Sequence, residues 1–433
     1  MLGIERLGAI TTHSNQVFDG SSLEPLVTIP PAPHCEVCVI VPVRDEAENL
    51  ADTLLALAQQ VDLEGRPFDR ERYEIILLVN NSCDDSAAIA HCFAKQYSTL
   101  ALHVVEITLP ASEAYVGRVR RILMDEAYRR MTSLGHRYGA IASTDGDTRV
   151  APTWLAATLQ EMRGGADAVG GRILTDRSDR LALDCYARLC HLREVGYQYL
   201  LAELETYLDP DPYDRWPRHY QHYGASFAVT AQMYGRVGGI PAVRSPEDVA
   251  FYQALRRVDA RFRHSPEVRV VTSARQVGRA KNGLANQLSE WTVMGRKHQP
   301  FLVESPTAIE ARLQARRELR MLWQRQQVEH QLSETDVARS ADKLRVATQW
   351  LAQELQQPQT FGLLHFRMTA KHEETSAPPL VEIGQAICDL RIRLDRIRRA
   401  ANYLLDPLEK VKPVLFLPPT TQMPQIRTAP QKK

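Results

Sequence analysis

Val37-Cys-Val-Ile-Val41-Pro42-Val43-Arg44-Asp45-Glu46-Ala-Glu48-Asn49 sets the fold class of this chain. A strand-length apolar run gives way to a charged turn. Glu46 to Gln60 then has helical spacing, with Leu50, Leu54 and Leu57 on one face. Working outward, Tyr73 to Val79 repeats the buried-strand pattern and leads into a helix from about Asp85 to Tyr97. Leu102 to Ile107 is a third strand, followed by a helix over Arg118 to Met131. Tyr138 to Ser143 is a fourth, with a helix from Thr153 to Met162 behind Pro152. Strands and helices alternating at this spacing predict an α/β fold on a parallel sheet. Ligands of such sheets bind beyond the carboxyl ends of the strands, so the residues just after each strand carry the functional information.

The chain has 433 residues, 44% hydrophobic and 24% charged, enough for two or three domains with a sizeable core. A net charge of +1 provides no overall field for nucleic acid or an acidic partner. The longest apolar runs, such as Glu74-Ile-Ile-Leu-Leu-Val79, are far too short for a transmembrane segment. Met1-Leu-Gly-Ile-Glu-Arg lacks the basic start and apolar stretch of a signal peptide, which makes the cytoplasm the expected location. Seven cysteines, an odd number in a chain this long, argue against a disulfide framework. Cys35-Glu-Val-Cys38 has metal or redox spacing but no second pair to complete a zinc site. Residues three apart on a strand face opposite sides, so these thiols are expected to diverge and to serve packing.

Residues 1–34 read as an extension and 35–304 as the α/β domain. Within it, 178–222 is an insertion with a long helical stretch and an aromatic, charged loop. Arg269 to Thr272 looks like the last strand. From 305 to 411 the pattern is helical. Val337, Ala341, Leu344, Thr348, Leu351 and Leu355 form one apolar stripe, and Ile383, Ile387, Leu390, Leu394, Ile397, Ala401 and Leu404 a second. The two are expected to pack as a hairpin or onto the α/β domain, with homodimer formation through the second as the alternative. Residues 412–433 have the composition of a disordered tail.

Four clusters carry chemistry. After the first strand, Pro42, Arg44 and Glu46 can cradle a base and ribose, although acidic residues also suit a helix's first turn. After the second, Asn80 leads Asn81-Ser-Cys-Asp84-Asp85, where Asn and Asp can bond a base edge and Asp85 can cap a helix. After the fourth comes Asp145-Gly146-Asp147. Hard carboxylate oxygens there suit Mg²⁺ or Mn²⁺ shared with diphosphate oxygens, and Asp-Gly is also a common turn. Later in the chain, Ser245-Pro-Glu247-Asp248 has the form of a helix start and supplies carboxylates that can take a proton from a hydroxyl. Arg118, Arg120, Arg121, Arg275 and Arg279 are where a cationic partner for diphosphate is to be sought. A metal-held diphosphate plus a separate base is the chemistry of moving a sugar from a nucleotide to an acceptor.

Taken in order, these motifs from about Cys35 to Trp291 resemble the family 2 glycosyltransferases, which have the GT-A fold. The resemblance implies a GT-A-type nucleotide-binding sheet, a nucleotide-sugar donor, an acceptor hydroxyl and Mg²⁺ or Mn²⁺. It implies base and ribose recognition at Pro42, Arg44, Glu46 and Asn80, while Arg118, Arg120 and Arg275 stay candidates read from the residues themselves. Asp147 is the implied metal ligand, with Asp145 reaching donor or metal. Asp248 is the implied general base of an inverting transfer, and Glu247 assists it. The chain departs from the family in two places. Asn80-Asn81 stands where Asp-Asp is common, and the usual histidine after the last strand is replaced by Val270-Val-Thr-Ser-Ala-Arg275, leaving the earlier His264 as candidate third ligand. Trp216, Tyr220 and His222 mark a candidate acceptor surface. The alternatives are a retaining transferase of the same fold and a non-catalytic sugar-nucleotide binder or scaffold.

Overall fold

The computed structural model describes residues 25–276, 278, 283–329, 332–357, 360–373 and 378–404. The 412–433 tail, Arg279 and residues 1–24 of the extension lie outside the described residues. Eight strands form one mixed sheet in the order β3-β2-β1-β4-β7-β6-β8-β5. They are β1 Val37–Val43, β2 Tyr73–Asn80, β3 Leu102–Ile107, β4 Ala140–Ser143, β5 Thr148–Val150, β6 Ala168–Thr175, β7 Phe227–Thr230 and β8 Phe262–Thr272. The first four strands of that order are parallel, as expected from the sequence. β7 runs antiparallel to both β4 and β6, which makes the sheet mixed. β5 follows β4 after one short turn, yet pairs antiparallel with β8 at the other end of the strand order.

Alternation explains the two cores. From β2, Ile75, Leu77 and Val79 face one cluster, packed by the helices α1 Leu50–Ala58, α2 Ser86–Gln96 and α4 Trp154–Arg163. Ile76 and Leu78 face the other, packed by α3 Val116–Ser133, α7 Ala231–Arg236 and α8 Glu247–Arg257. Cys35 and Cys38 share this second cluster, contrary to the expected divergence, because Cys35 precedes the strand and is free of its alternation. Both are free buried thiols, and burial pushes Cys35 up to about 12, which suits packing and not reactivity. At the base of α3, Arg130 is fully buried and holds Glu74 of β2 through Nε at 2.7 Å and Nη2 at 2.5 Å. Its Nη1 also donates to the Ile29 carbonyl at 2.8 Å, fastening the lead-in segment.

The insertion contains α5 Arg177–Ala182 and α6 Cys185–Leu208. Beyond β8 lie α9 Leu284–Arg296, β9 Leu302–Glu304, α10 Pro306–Glu329, α11 Glu334–Leu344, α12 Thr348–Gln356, α13 Phe361–Glu373, β10 Leu380–Glu382 and α14 Ile383–Leu404. The first stripe is broken at Arg345, whose positive φ of 55° ends α11, and it packs with α10 and α13. The second stripe is α14. Its Ile383, Leu390 and Leu394 pack with Ala187, Tyr197 and Leu204 of α6 and Trp291 of α9. The stripes thus pack in separate clusters and form no hairpin with each other, and the second takes the other expected course by packing onto helices of the 35–304 range. The α14 seam that could have dimerised is covered by α6, and α6 and α9, both before residue 304, share the C-terminal core. No described helix is long and apolar enough to cross a membrane.

Candidate active site

The loops after β1, β2 and β4 meet at the carboxyl ends of those strands. Asp45 takes a positive φ of 51°, a backbone state that Asp tolerates better than most residues. From there its N–H donates to Ser82 Oγ at 3.0 Å, and its Oδ1 accepts from the Cys83 N–H at 2.7 Å. The Glu46 N–H donates to Ser86 Oγ at 2.8 Å, and Asp84 accepts from Ala47 at 2.9 Å. This lacing delays the first helix to Leu50, later than the spacing predicts. Asp84, not Asp85, bonds the Ser86 N–H at 3.0 Å at the start of α2. Arg44 donates to the Ala114 carbonyl at 3.1 Å, and buried Asn80 approaches Asn81 Oδ1 at 3.5 Å. Pro42 lies in β1 opposite Leu78.

Asp145-Gly146-Asp147 links β4 to β5 and crosses this end of the sheet. The chain passes so close to the first loop that a Cβ on Gly146 would lie 3.1 Å from Glu46 Cγ. Thr53 Oγ1 of α1 donates to the Gly146 carbonyl at 3.0 Å, fixing the turn. Arg275, just beyond β8, donates to both Glu46 oxygens at 2.8 and 2.6 Å and lies 3.1 Å from Asp147. Burial, with Asp145 and Glu46 nearby, raises Asp147 to about 6. Burial also raises Asp145, against the pull of Arg120.

Glu247 and Asp248 open α8 and are brought to the same place. Pro246 holds the cap position in extended conformation, so the helix starts one residue later than a Ser245 cap would require. Asp248 Oδ2 accepts from the Gly224 N–H at 2.9 Å, and its Oδ1 from the Val249 N–H at 2.8 Å. Glu247 is buried and hydrogen-bonded by Arg120, whose other Nη reaches Asp145 Oδ1 at 2.6 Å. Burial raises Glu247 as well, with Arg120 opposing and Asp248 adding.

Of the sequence-identified residues, Glu46, Asp145, Asp147, Glu247, Asp248, Arg120 and Arg275 therefore form one cluster. Its five carboxylates face two guanidiniums, an excess of negative charge. Arg120 is buried between carboxylates and is not an open cation for diphosphate. Arg118 points to Glu113 at 3.5 Å on the surface. His264 is not brought to Asp147. It lies opposite Gly170 on β6, whereas Asp147 adjoins Thr272, which lies opposite Thr175. Five residues of strand separate those positions, roughly 16 Å. His264 instead bonds Asp214 through Nδ1 at 2.7 Å, and burial lowers its pKa. Among the described residues no three His, Cys, Asp or Glu side chains converge as a metal-binding group. Two hard carboxylates in carboxylate excess still suit a divalent cation whose other ligands are phosphate oxygens and water.

On the candidate acceptor side, Trp216 is 39% exposed and meets Tyr199 of α6 edge-on at 6.0 Å, with Arg172 stacked 5.7 Å from that tyrosine. His222 stacks on Tyr252 at 3.9 Å and its Nδ1 bonds the Tyr220 carbonyl at 3.1 Å. Sequence reasoning missed Gly224, whose N–H holds Asp248, and Thr272, whose Oγ1 bonds Thr148 Oγ1 at 2.9 Å and approaches Asp147. Gly224 lies in no charged or periodic motif that would have marked it, and Thr272 was read only as the end of the last strand.

Residues 38–183 match the family described as Glycosyl transferase family 2. A curated relative, Glycosyltransferase AglE of Haloferax volcanii, is 30% identical over 139 residues, 32% of this chain and 39% of the relative. The chain thus spans less than half the length of that relative. Among solved structures, the Pyrobaculum calidifontis mannosyltransferase PcManGT with GDP-Man and Mn²⁺ is 17% identical, with 88% of this chain and 84% of that one covered and a TM-score of 0.38. S. aureus TarS with UDP-GlcNAc is 13% identical, with 84% and 92% covered and a TM-score of 0.40. These scores lie too low to transfer any property to this chain.

Proposed function

We propose, from a chain whose residues 38–183 form a family 2 glycosyl transferase segment, that this protein moves a sugar from a nucleotide-sugar donor to an acceptor hydroxyl. The observation that carries the reading is the meeting of Asp145-Gly-Asp147 with Glu247-Asp248 at one guanidinium, that of Arg120. A donor-side and an acceptor-side carboxylate group, distant in sequence, thereby share one site.

In this reading Pro42, Arg44, Glu46 and Asn80 border the nucleoside. Asp147, with Asp145, would hold Mg²⁺ or Mn²⁺, which when bound supplies positive charge against the departing diphosphate. Arg275 adds a cation there by exchanging its hold on Glu46 and Asp147 for phosphate oxygens. Asp248 is oriented by the Gly224 N–H and takes the proton of the acceptor hydroxyl. That oxygen bonds to the anomeric carbon as the carbon's bond to the diphosphate oxygen breaks on the opposite face, inverting the centre. The acceptor approaches over Trp216 and Tyr199. Glu247 remains paired to Arg120 and orients the start of α8.

A thermal-shift screen of UDP-, GDP- and dTDP-sugars, with and without Mn²⁺, tests the reading. A ligand bound only by the folded state raises its apparent stability. A Mn²⁺-dependent rise with one donor is expected, and no rise with any donor would overturn the proposal.

A further inference from the structure

Building on that reading, we propose that Arg120, together with Gly117 and Gly224, is a positioning device that sets the base-bearing α8 against the donor carboxylates. Three separate contacts carry the inference. First, α3 and α8 abut where α3 has no side chain. A Cβ on Gly117 would lie 2.7 Å from the Val243 carbonyl oxygen and 3.1 Å from Glu247 Cβ. The nearest obstacle is backbone, so it cannot simply rotate away. Second, one turn later and on the same face of α3, Arg120 reaches between the two helix starts. It is 4% exposed, and its two terminal nitrogens go to Glu247 and Asp145. Among the described residues its buried Nε has no hydrogen-bond partner, so the guanidinium is placed for its two carboxylates and not for its own full satisfaction. Third, that guanidinium lies against the Gly224 peptide. A Cβ there would fall 2.3 Å from Arg120 Cζ, and the Gly224 N–H is the group that holds Asp248 Oδ2 at 2.9 Å.

Arg120 therefore fixes Glu247 directly and Asp248 through Gly224, with Asp145 as the common reference. It touches neither donor nor acceptor and acts through the carboxylates. A planar fork can bridge two carboxylates and lie flat on a peptide. A lysine ammonium keeps the charge but can do neither.

The test compares wild type, Arg120→Lys, Arg120→Gln and Gly117→Ala, using release of nucleoside diphosphate from UDP-, GDP- and dTDP-sugars with Mn²⁺ and water as acceptor. For folded Arg120→Lys we expect kcat to fall about a hundredfold with donor KM within about threefold, the signature of lost transition-state alignment. Arg120→Gln should fall at least as far in kcat as Arg120→Lys, again with donor KM within about threefold. Gly117→Ala keeps every charge and should lower kcat with the same small change in KM, and it stands as the second variant if the Arg120 variants do not fold. An active wild type matched by Arg120→Lys in kcat would overturn this inference alone. A wild type that binds and turns over no donor would overturn the transferase reading, and this inference with it.

Discussion

Replacing Glu74 with Gln removes the charge that Arg130 was buried to meet. Both side chains are within 2% of fully buried, and the pair is joined by two hydrogen bonds. Burial opposes ionisation of Glu74, yet the hydrogen bonds from Arg130 and His103 hold its carboxyl down to about 2 from an ordinary 4.5. At about 1.4 kcal/mol per unit, that shift corresponds to about 3 kcal/mol. Removing one partner of a buried pair costs about 3–5 kcal/mol by the same physics, since an uncompensated guanidinium remains. In a unit of this size each kcal/mol moves Tm by roughly 2–4 °C, so Glu74→Gln should melt roughly 6–12 °C lower. The sign with pH follows from linkage. A carboxylate with a depressed pKa contributes fully above its unfolded value, about 4.5, and the contribution is lost as pH falls towards about 2. Glu74→Gln should therefore show a flatter acid limb of Tm against pH than wild type. Differential scanning calorimetry on Glu74→Gln, Arg130→Met and the double variant Glu74→Gln with Arg130→Met supplies the cycle. The double variant should lose less than the sum of the two single changes, because neither charge is left alone. A Glu74→Gln protein within about 1 °C of wild type, or an unchanged acid limb, would refute the reasoning, since a 3 kcal/mol pair cannot vanish unnoticed.

Other consequences concern the site and the C-terminal core. Asp248→Asn should abolish sugar transfer while donor affinity by calorimetry stays within about threefold, and normal turnover would remove Asp248 as base. Asp147, raised to about 6 by burial and neighbouring carboxylates, is largely protonated at pH 5. Mn²⁺-dependent donor binding should then weaken about tenfold between pH 7 and pH 5, and Asp147→Asn should lose both the affinity and the pH response. Leu390→Asp places a charge in the fully buried seam of α14 against α6. It should cost several kcal/mol and open the C-terminal region to limited proteolysis, whereas an unchanged Tm would mean that this seam is not an internal one.

The α/β core was legible because its strands are short continuous apolar runs, and the parallel half matches the expected elements to within a few residues. β5, β6, the four-residue β7 and the full length of β8 were not. Thr148-Arg-Val150 is too short to show a period, Ala168-Val-Gly-Gly-Arg172 is interrupted by glycines, and the first half of β8 carries His264 and Pro266 among polar residues. Asp145, Asp147, Glu247 and Asp248 were marked by position after a strand or at a helix start, and the fold brings them together. His264 was marked by residue type alone. It belongs to a buried network with Asp214, Arg218 and Glu205, continued by Arg316 and Arg320 of α10 through Asp209. Partners so distant in sequence leave no local pattern. The same holds for the glycines at 117 and 224, whose importance lies in what approaches them. Apolar stripes correctly signalled α11, α12 and α14 but not their partners, because a stripe specifies that a face is covered and not by what.

The central claim, that the two carboxylate groups at Arg120 serve one transfer reaction, is tested most directly by nucleoside diphosphate release. Wild type, Asp147→Asn and Asp248→Asn would be compared with a panel of UDP-, GDP- and dTDP-sugars in Mn²⁺, with the anomeric configuration of the product read by NMR. The account predicts release from one donor class by wild type, inversion at the anomeric carbon and loss of turnover in both variants. Donor binding without any release would instead indicate a sugar-nucleotide-binding protein, and retention of configuration would contradict Asp248 as the base.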